Sequence, residues 1–537
     1  MNGRKRIPGV ARGMSLRQLS TGLFISGMPG SGKTTALMNL MRQLSEAGIA
    51  FLVIEPVKKE FRLLKSLMNH PKKEYRDLAT GFHLYTFGNE GISPGRLAPL
   101  KLMRGMSKDE HIGNLLHAAS ASMPLSSSLP FLLGEVFEEV YETHPDPTQA
   151  PIVADSIVAA QRVMSRKGYS LDTGSDVGTA LLTRLGAWKR RAMGKILQCS
   201  KSIPSIETIM ESQSLLELDD MQEDEACILI LLLFTLIREY VKTTPWRGKG
   251  LRFILILDEA HVVIGRSEEA SSSEDHADPK GNTTQFICRM MAEMRGAGVG
   301  MVIADQHASA IAPSVIKNAG SQLAFRQTSA EDRQIVASTM LMSRVQTEEL
   351  ARLATGEAFY FTDGFHRARR LWTVNIHEDI GAYEPPTNEE LLEIVRKEPW
   401  WQEAARERRA LELMQLSGRM ADLGRSLRDW LTRAAQLHVR AASRIGVEER
   451  TRLRREVRRL RAEIDSHLEE FRRETYRPLL GEAIPEDIGV LQPLAELRQS
   501  LQERFETAIQ SSAQAAIQSL NKTIGLIGQK TQRGVLS

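Results

Sequence analysis

Short apolar runs recur along roughly the first two thirds of the chain, and each is about as long as a buried strand. Nine of these runs predict strands, at residues 23–25, 50–54, 82–86, 214–218, 253–257, 300–304, 322–326, 357–361 and 370–374. Continuous apolar runs are typical of strands that are buried on both faces of a parallel sheet. Because helical patterns separate several of the runs, the sequence predicts an α/β fold with a mostly parallel central sheet.

Other segments have apolar positions at helical spacing. They predict helices at residues 110–119, 129–141, 152–164, 177–188, 224–240 and 284–294. The first four of these lie between the third and fourth predicted strands and indicate a helical insertion over residues 105–212. The pattern leaves open whether this insertion covers a ligand or forms a surface for a partner.

The strand pattern stops at about residue 386, and the rest of the chain is rich in Leu, Ala, Arg and Glu. This composition predicts long helices. An apolar stripe at helical spacing favours a helical hairpin or coiled coil, and it consists of Leu453, Val457, Leu460, Ile464 and Leu468. The arginines of residues 450–461 could bind phosphate backbones. A solvated helix face with glutamate partners is the slightly favoured explanation of this cluster.

These patterns predict five segments along the chain. They are an N-terminal arm (1–20), the first part of the α/β core (21–104), the helical insertion (105–212), the second part of the core (213–385) and an Arg-rich helical C-terminal region (386–537). No separate domain is expected before the core. The polar stretch 266–282 predicts a mobile loop.

Composition limits the function classes that remain. The 537 residues exceed one ordinary domain, and 70 Lys and Arg against 66 Asp and Glu give a net charge of +4. Any basic surface must therefore be local. The three cysteines are scattered, which argues against a disulfide framework or a structural zinc site and fits a reducing compartment. No signal peptide is evident, and the apolar run 227–237 is too short to span a bilayer, so we expect a cytoplasmic protein without membrane association.

The first predicted strand leads into a glycine-rich stretch at residues 27–34 that has the phosphate-loop pattern G-x-x-x-x-G-K-[ST]. A predicted helix follows it, so strand, loop and helix are in the expected order. Loop backbone amides and the helix N-terminus favour a bound phosphate. Lys33 would contact the β- and γ-phosphates of ATP, and the Thr34 hydroxyl would bind Mg²⁺. The predicted nucleotide-binding residues are Gly27, Gly30, Ser31, Gly32, Lys33, Thr34 and Thr35.

Acidic residues follow the most apolar predicted strand, at residues 253–257. After Thr34, Asp258 is the second residue that is expected to bind Mg²⁺. Glu259 can orient and deprotonate the attacking water. Gln306 follows the next strand, where an amide can sense the γ-phosphate and position water. His261 completes the string Asp-Glu-Ala-His, but without companion helicase motifs we interpret it as part of the local structure.

Two arginines are candidates for stabilising the charge that develops on a transferred phosphoryl group. Arg295 precedes a glycine-rich turn ahead of the strand that ends at Gln306, and Arg326 is the second candidate. If subunits form a ring, Arg295 could enter the site of a neighbour. From residue type alone, a surface salt bridge is the better explanation for either arginine.

With these motifs in place, the chain resembles the HerA branch of the HerA/FtsK superfamily of ring ATPases. The resemblance extends over residues 20–376 and rests on residues 27–34, 53–62, 257–261, 293–300 and 303–306. It implies a RecA-like P-loop ATPase core and a hexameric motor that pulls duplex DNA through a central channel. It also implies that Arg295 is the trans-acting arginine finger and that Gln306 occupies the sensor position.

The chain departs from archaeal HerA, which has a β-barrel domain before the core, and the Arg-rich helical region is also outside the HerA pattern. It is similar to the short HerA-like ATPases that are paired with an effector in bacterial antiphage systems. Such effectors include nucleases and sirtuin-like NAD-cleaving enzymes, so the resemblance implies an effector protein as partner.

The leading hypothesis is a Mg²⁺-dependent ATPase that forms a homohexameric ring and translocates on or engages duplex DNA. Its residues are Lys33, Thr34, Asp258, Glu259, Gln306 and Arg295. The alternative is an assembly scaffold, in which ATP sets the shape of a ring that arrays and regulates a partner enzyme. A small-molecule kinase is the weakest hypothesis, because it would need neither a water-activating acid pair nor a long helical tail.

Overall fold

The computed structural model describes residues 13–122, 128–144, 150–167, 171–244, 250–265, 279–443, 447–471 and 514–533. Within them, nine strands form one sheet, and all nine predicted strands are present. They are β1 (Leu23–Ser26), β2 (Ala50–Glu55), β3 (Phe82–Thr86), β4 (Gln213–Glu217), β5 (Phe253–Leu257), β6 (Val299–Asp305), β7 (Ser321–Ala324), β8 (Glu357–Thr362) and β9 (Arg369–Trp372). The order across the sheet is β3-β4-β2-β5-β6-β1-β7-β8-β9.

The sheet is mostly parallel, as predicted. Every neighbouring pair from β3 to β7 is parallel, and only β8 and β9 pair antiparallel with their neighbours. One strand, β6, separates β1 from β5. The strand before the phosphate loop and the strand before Asp258 are therefore not adjacent, and this is the strand order of a RecA-like P-loop ATPase core.

The helices of the described residues lie between and beyond these strands. They are α1 (Leu16–Ser20), α2 (Lys33–Glu46), α3 (Lys73–Gly81), α4 (Lys108–Ser122), α5 (Leu129–Thr143), α6 (Val153–Lys167), α7 (Leu171–Ala187), α8 (Arg191–Leu197), α9 (Ile206–Glu211), α10 (Glu223–Thr243), α11 (Pro279–Arg295), α12 (Pro313–Asn318), α13 (Ala330–Thr339), α14 (Arg344–Leu350), α15 (His377–Ile380), α16 (Asn388–Val395), α17 (Pro399–Ala442), α18 (Val447–Phe471) and α19 (Gln514–Arg533). Short 3-10 helices occupy Phe61–Asn69, Ala260–Val262 and Ala308–Ala310. Helices α4 to α9 lie between β3 and β4, where the sequence predicts the insertion.

Both faces of the sheet are buried, because neighbouring residues of a strand point to opposite sides. In β2, Phe51 and Val53 pack in one apolar core, and Leu52 and Ile54 pack in the other. This burial explains the continuous apolar runs of the sequence, and every residue of the central strands β1, β5 and β6 is buried.

Helix α10 contains the longest apolar run, and every residue from Ile228 to Ile237 is buried. It packs against α4, α9 and α11 in the core that also contains the insertion. The prediction of a buried core helix is confirmed. Among the described helices, none has the length and apolar content that crossing a bilayer requires.

Two predicted irregular segments extend partly into residues that the structure does not describe. For the N-terminal arm, residues 1–12 lie outside the described residues, and Leu16–Ser20 forms α1 with Ser15 as its N-cap. For the loop predicted at 266–282, residues 266–278 lie outside them. Residues 279–282 form the first turn of α11, so the loop prediction is wrong for those four positions. Proline is tolerated in a first helical turn, where its missing N–H would have no partner.

The chain divides into two compact units, Met1–Ala404 and Ala405–Ser537. In the second unit, the predicted stripe on α18 is buried: Leu453, Val457 and Leu460 pack with Trp430 of α17 and Leu520 of α19. The helical hairpin prediction for this part of the chain is therefore confirmed.

Candidate active site

The predicted site residues follow three adjacent strands. Residues 27–34 follow β1, Asp258 and Glu259 follow β5, and Gln306 follows β6, which lies between them. In a parallel sheet the carboxyl ends of neighbouring strands meet at one edge, where ligands bind in α/β proteins. The strand order therefore brings the phosphate loop, the acid pair and the glutamine to a single site.

The phosphate loop has a backbone that requires glycine. Gly30 and Gly32 have φ angles of +69° and +114°, which side chains disfavour. At Gly27 a Cβ atom would lie 2.6 Å from the Cβ of Phe325, so no larger residue fits there. The Met28 N–H donates to the Arg326 carbonyl at 2.9 Å, which ties the loop to the end of β7.

Helix α2 begins at Lys33, with Thr34 and Thr35 in its first turn, so the helix N-terminus points at the loop. The buried Lys33 Nζ donates to the Gly27 carbonyl at 2.5 Å. Burial lowers the pKa of Lys33, while the nearby Asp258 and Glu259 oppose this shift. A cationic side chain, a helix N-terminus and a tight glycine loop suit a phosphate group, so these residues fit a nucleotide.

Asp258 and Glu259 are both buried, at 4% and 2% exposure. Burial, and then the charge of Glu259, raise the pKa of Asp258 to about 7. A divalent cation beside Asp258 would offset that charge and favour its ionised form. With the Thr34 hydroxyl from the phosphate loop, Asp258 supplies the oxygen donors that Mg²⁺ prefers.

Glu259 has a left-handed backbone conformation, and one of its carboxylate oxygens is contacted by two donor groups. Its φ of 46° and ψ of 51° are left-handed, a conformation that costs a non-glycine residue about 1–2 kcal/mol. Its Oε1 accepts from Gln306 Nε2 at 2.6 Å and lies 2.6 Å from Lys58 Nζ. Its Oε2 is buried and has no hydrogen-bond partner among the described residues. This oxygen is the one that can accept a proton from water.

The loop after β2 adds two residues that the sequence did not single out for the site, Lys58 and Glu60. Glu60 Oε2 accepts from the Thr34 hydroxyl at 2.6 Å. The Glu60 N–H donates to Oε1 of the buried Glu55 at 2.7 Å, and burial raises the pKa of Glu55 well above its usual range. Strand β2 is adjacent to β5, so the carboxyl-edge rule could have found these residues once that pairing was known.

His261 takes part in a local hydrogen-bond cluster. Asp305 is fully buried, and its Oδ2 accepts from the His261 N–H at 2.8 Å and lies 2.9 Å from His261 Nδ1. The hydrogen bond with Asp305 raises the pKa of His261. Ligand atoms of Glu259, His261 and Asp305 lie within 4.8 Å of one another, a spacing that a cation could also use.

The structure does not bring Arg295 to the phosphate loop of its own chain. The Arg295 guanidinium donates to the carbonyls of Thr21 and Asn318, both at 3.1 Å. These two residues precede β1 and β7, at the amino ends of the strands, whereas the phosphate loop follows the carboxyl end of β1. Arg326, by contrast, adjoins the loop, and its buried Nε has no partner among the described residues.

The arginine cluster of α18 is divided between paired and exposed side chains. Arg452 and Arg461 form ion pairs with acids one turn away on the same helix. Arg455, Arg458 and Arg459 are exposed, and the part of the chain that the structure describes offers them no ion pair. These three side chains form one basic strip on the helix surface.

No protein-family model and no curated protein matches the chain. Among solved structures, VirB4 of Thermoanaerobacter pseudethanolicus is similar at 14% identity and a TM-score of 0.47, covering 66% of this chain and 88% of VirB4. The bacterial conjugative coupling protein TrwBΔN70 is similar at 11% identity and 0.49, covering 69% and 88%. The genome packaging NTPase B204 from Sulfolobus turreted icosahedral virus 2, in complex with sulfate, is similar at 10% and 0.30, covering 66% and 96%.

The sheet order and the geometry of the site show that this chain has a RecA-like P-loop ATPase fold.

Proposed function

We propose that this chain is a Mg²⁺-dependent ATPase. The observation that carries the proposal is Glu259, a buried carboxylate with one oxygen held by Gln306 and Lys58 and the other without a hydrogen-bond partner among the described residues. It stands beside Asp258 and opposite a phosphate loop. That combination suits a general base that acts on water at a bound triphosphate.

Each residue has a part in the proposed reaction. Lys33 and the loop amides bind the phosphates, and Thr34 and Asp258 hold the cation, which when bound neutralises phosphate charge. Glu259 Oε2 takes a proton from water. The water oxygen bonds to the γ-phosphorus while the bond to the β–γ bridging oxygen breaks, which leaves ADP and inorganic phosphate. Gln306 orients Glu259 and the attacking water.

The proposal includes a homohexameric ring. Arg295 is exposed and lies at the sheet end opposite its own phosphate loop. If it stabilises the transition state, it must therefore do so in a neighbouring subunit, as the resemblance to the HerA family implies. Hydrolysis would then depend on assembly.

The substrate of the motor in this proposal is duplex DNA. The resemblance to HerA supports this, and so does the exposed strip Arg455, Arg458 and Arg459 on α18. Arg455 lies about one helical turn, or about 5.4 Å along the axis, before the consecutive residues Arg458 and Arg459. Such a row can contact successive phosphates of a backbone and release counterions.

The cellular role in this proposal is antiphage defence in the cytoplasm, with a nuclease or a sirtuin-like NAD-cleaving enzyme as effector. This part rests on the resemblance to short HerA-like ATPases.

The test is ATP hydrolysis by size-separated fractions, with and without Mg²⁺ and duplex DNA. Activity is expected in a large oligomer, to rise with DNA, and to fall by about 10²–10⁴-fold in Glu259→Gln, the size of a general-base contribution. The control is Glu293→Gln, an exposed glutamate of α11 that pairs with Arg238. Full activity of Glu259→Gln would contradict the proposal.

A second candidate is the ATP-regulated scaffold that arrays a partner enzyme. It is favoured by the separate helical unit Ala405–Ser537, which has its own apolar core and could serve as a docking surface. The same measurement separates the two candidates. A large oligomer that hydrolyses ATP slowly and does not respond to DNA would favour the scaffold.

A further inference from the structure

The loop after β2 contacts both halves of the site. Lys58 Nζ lies 2.6 Å from Glu259 Oε1 and 3.9 Å from Glu60 Oε1. The other oxygen of Glu60, Oε2, accepts a hydrogen bond from the Thr34 hydroxyl, with 2.6 Å between the two oxygens. A continuous bridge therefore runs from the candidate general base, through Lys58 and Glu60, to the hydroxyl that would bind the metal.

A buried residue at the end of β2 anchors the bridge. The Glu60 N–H donates to Glu55 at the end of β2, and Glu55 is fully buried. The adjacent Lys59 is not part of the bridge, because its Nζ pairs with Asp219 at 2.6 Å. Two neighbouring lysines of one loop thus have different partners, and only Lys58 reaches the site.

The two donors on Glu259 Oε1 have a stereochemical consequence. A carboxylate oxygen has two lone pairs, so Glu259 Oε1 can accept from Lys58 and from Gln306 at once. The carboxylate is thereby held in one rotation, with Oε2 left to accept a proton. Without Lys58, one hydrogen bond would remain, and the carboxylate could rotate about it.

Glu60 has the corresponding effect on Thr34. When the hydroxyl donates its proton to Glu60, its lone pairs point away from Glu60 and are open to a cation. A hydroxyl that donates to a carboxylate is also a stronger electron-pair donor. The contact therefore prepares Thr34 as a metal ligand.

We propose that Lys58 and Glu60 are positioning residues for ATP hydrolysis, Lys58 for the general base Glu259 and Glu60 for the metal-binding hydroxyl of Thr34. This inference rests on the proposed ATPase function. Neither residue touches the reacting atoms, so their effects are expected in turnover and in the Mg²⁺ requirement rather than in nucleotide binding as such.

The test of Lys58 compares Lys58→Met and Lys58→Arg with the matched control Lys59→Met. Lys58→Met is expected to lower kcat about 10- to 100-fold, the range for a lost orienting contact, with KM for ATP and the melting temperature within about 2-fold and a few degrees of wild type. Lys58→Arg retains a donor and should recover part of kcat, and Lys59→Met should match wild type. A Lys58→Met protein as active as wild type, or more active, would overturn the proposal.

The test of Glu60 uses binding instead of turnover. The affinity for a non-hydrolysable ATP analogue is titrated against Mg²⁺ in wild type, Glu60→Ala and Glu60→Gln. Glu60→Ala should raise the Mg²⁺ concentration for half-maximal binding about 10-fold, comparable to the loss of a residue that orients a metal ligand. Glu60→Gln keeps an acceptor oxygen and should lie between them. An unchanged Mg²⁺ requirement in Glu60→Ala would refute the role of Glu60.

Failure of the inference and failure of the proposed function give different results. If wild type and Lys59→Met do not hydrolyse ATP, the ATPase proposal fails. If both hydrolyse ATP and Lys58→Met does so equally well, only the inference fails. A double-mutant cycle of Lys58→Met with Glu60→Ala gives a further check, because residues of one bridge should show less than additive losses.

Discussion

At the scale of single residues, the site depends on the close approach of side chains to the backbone of a glycine, Gly27. Gly27 packs where a Cβ would meet Phe325 at 2.6 Å and the Ser31 hydroxyl at 2.7 Å. The obstacle at Phe325 includes its own Cβ, which cannot move without the backbone of the residue that directly follows β7. The loop can therefore keep its shape only with glycine at this position.

This geometry predicts the effect of Gly27→Ala. The loop must shift, so its amides and Lys33 should no longer point at the same phosphate group. The Kd for an ATP analogue should therefore rise at least about 10-fold, which corresponds to about 1.4 kcal/mol of binding free energy. The measurement is a binding titration. The control is Gly113→Ala in α4, where a Cβ meets nothing within 4 Å. Wild-type affinity in Gly27→Ala would contradict the steric account.

The phosphate loop, Asp258 and Glu259 were predictable from the sequence because each belongs to a short stretch with a fixed order of residue types. Lys58 and Glu60 were not, because their contacts depend on the pairing of β2 with β5 and on the path of the loop after β2. Neither the pairing nor the path follows from a local pattern.

At the scale of elements, a buried ion pair joins the 3-10 helix after β2 to the end of β4. Arg62 Nε and a terminal nitrogen donate to the two oxygens of Glu217 at 2.9 and 2.5 Å. The two side chains are 5% and 0% exposed. Arg62 also donates to Asn388 of α16 at 3.0 Å, so three segments meet at one guanidinium.

Removing this guanidinium should lower the free energy of unfolding. Arg62→Met leaves the Glu217 charge buried without its partner, which typically destabilises a protein by about 3–5 kcal/mol. The midpoint of thermal or denaturant unfolding should fall accordingly. The control is Arg42→Met, whose partner Glu46 is exposed and whose loss should cost at most about 1 kcal/mol. Equal midpoints for the two variants would contradict the role of the buried pair.

The basic strip of α18 makes a prediction about DNA. Changing Arg455, Arg458 and Arg459 together to Gln should weaken duplex DNA binding and reduce the slope of log affinity against log salt by about 2–3, at about 0.9 per lost phosphate contact. The measurement is a salt titration of fluorescence anisotropy. The control variant changes three exposed cations of the first unit, Lys73, Arg344 and Arg396, each of which pairs with an acid three or four residues away in the chain. An unchanged slope, or an equal loss in both variants, would exclude the strip as a DNA contact.

The strands were predictable to within two residues because burial on both sheet faces leaves continuous apolar runs, whereas the amphipathic pattern located only the longer helices and left short ones such as α12 and α14 unpredicted. The order of the strands in the sheet was not, because β4 lies between β3 and β2 although an insertion of six helices separates it from both in the chain. Local hydrophobicity carries no information about which strand is the neighbour of which.

At the scale of the whole molecule, a single chain does not bring together all the residues of the proposed ATPase site. The phosphate loop, the acid pair and Gln306 meet at the carboxyl edge of the sheet, and Arg295 lies at the opposite end of β1. Four strand residues span about 13 Å, a distance that an arginine side chain does not cover. Arg295 can therefore complete a site only if a second copy supplies it.

The most direct test of this account is a mixing experiment with two variants that should each be inactive in ATP hydrolysis. Glu259→Gln lacks the base but keeps Arg295, and Arg295→Ala has the converse defect. Mixed in equal amounts under conditions of subunit exchange, they should recover activity at about one site in four, because a head-to-tail ring pairs one intact base with one intact arginine that often. A mixture no more active than the separate proteins, or full activity of Arg295→Ala alone, would contradict the account.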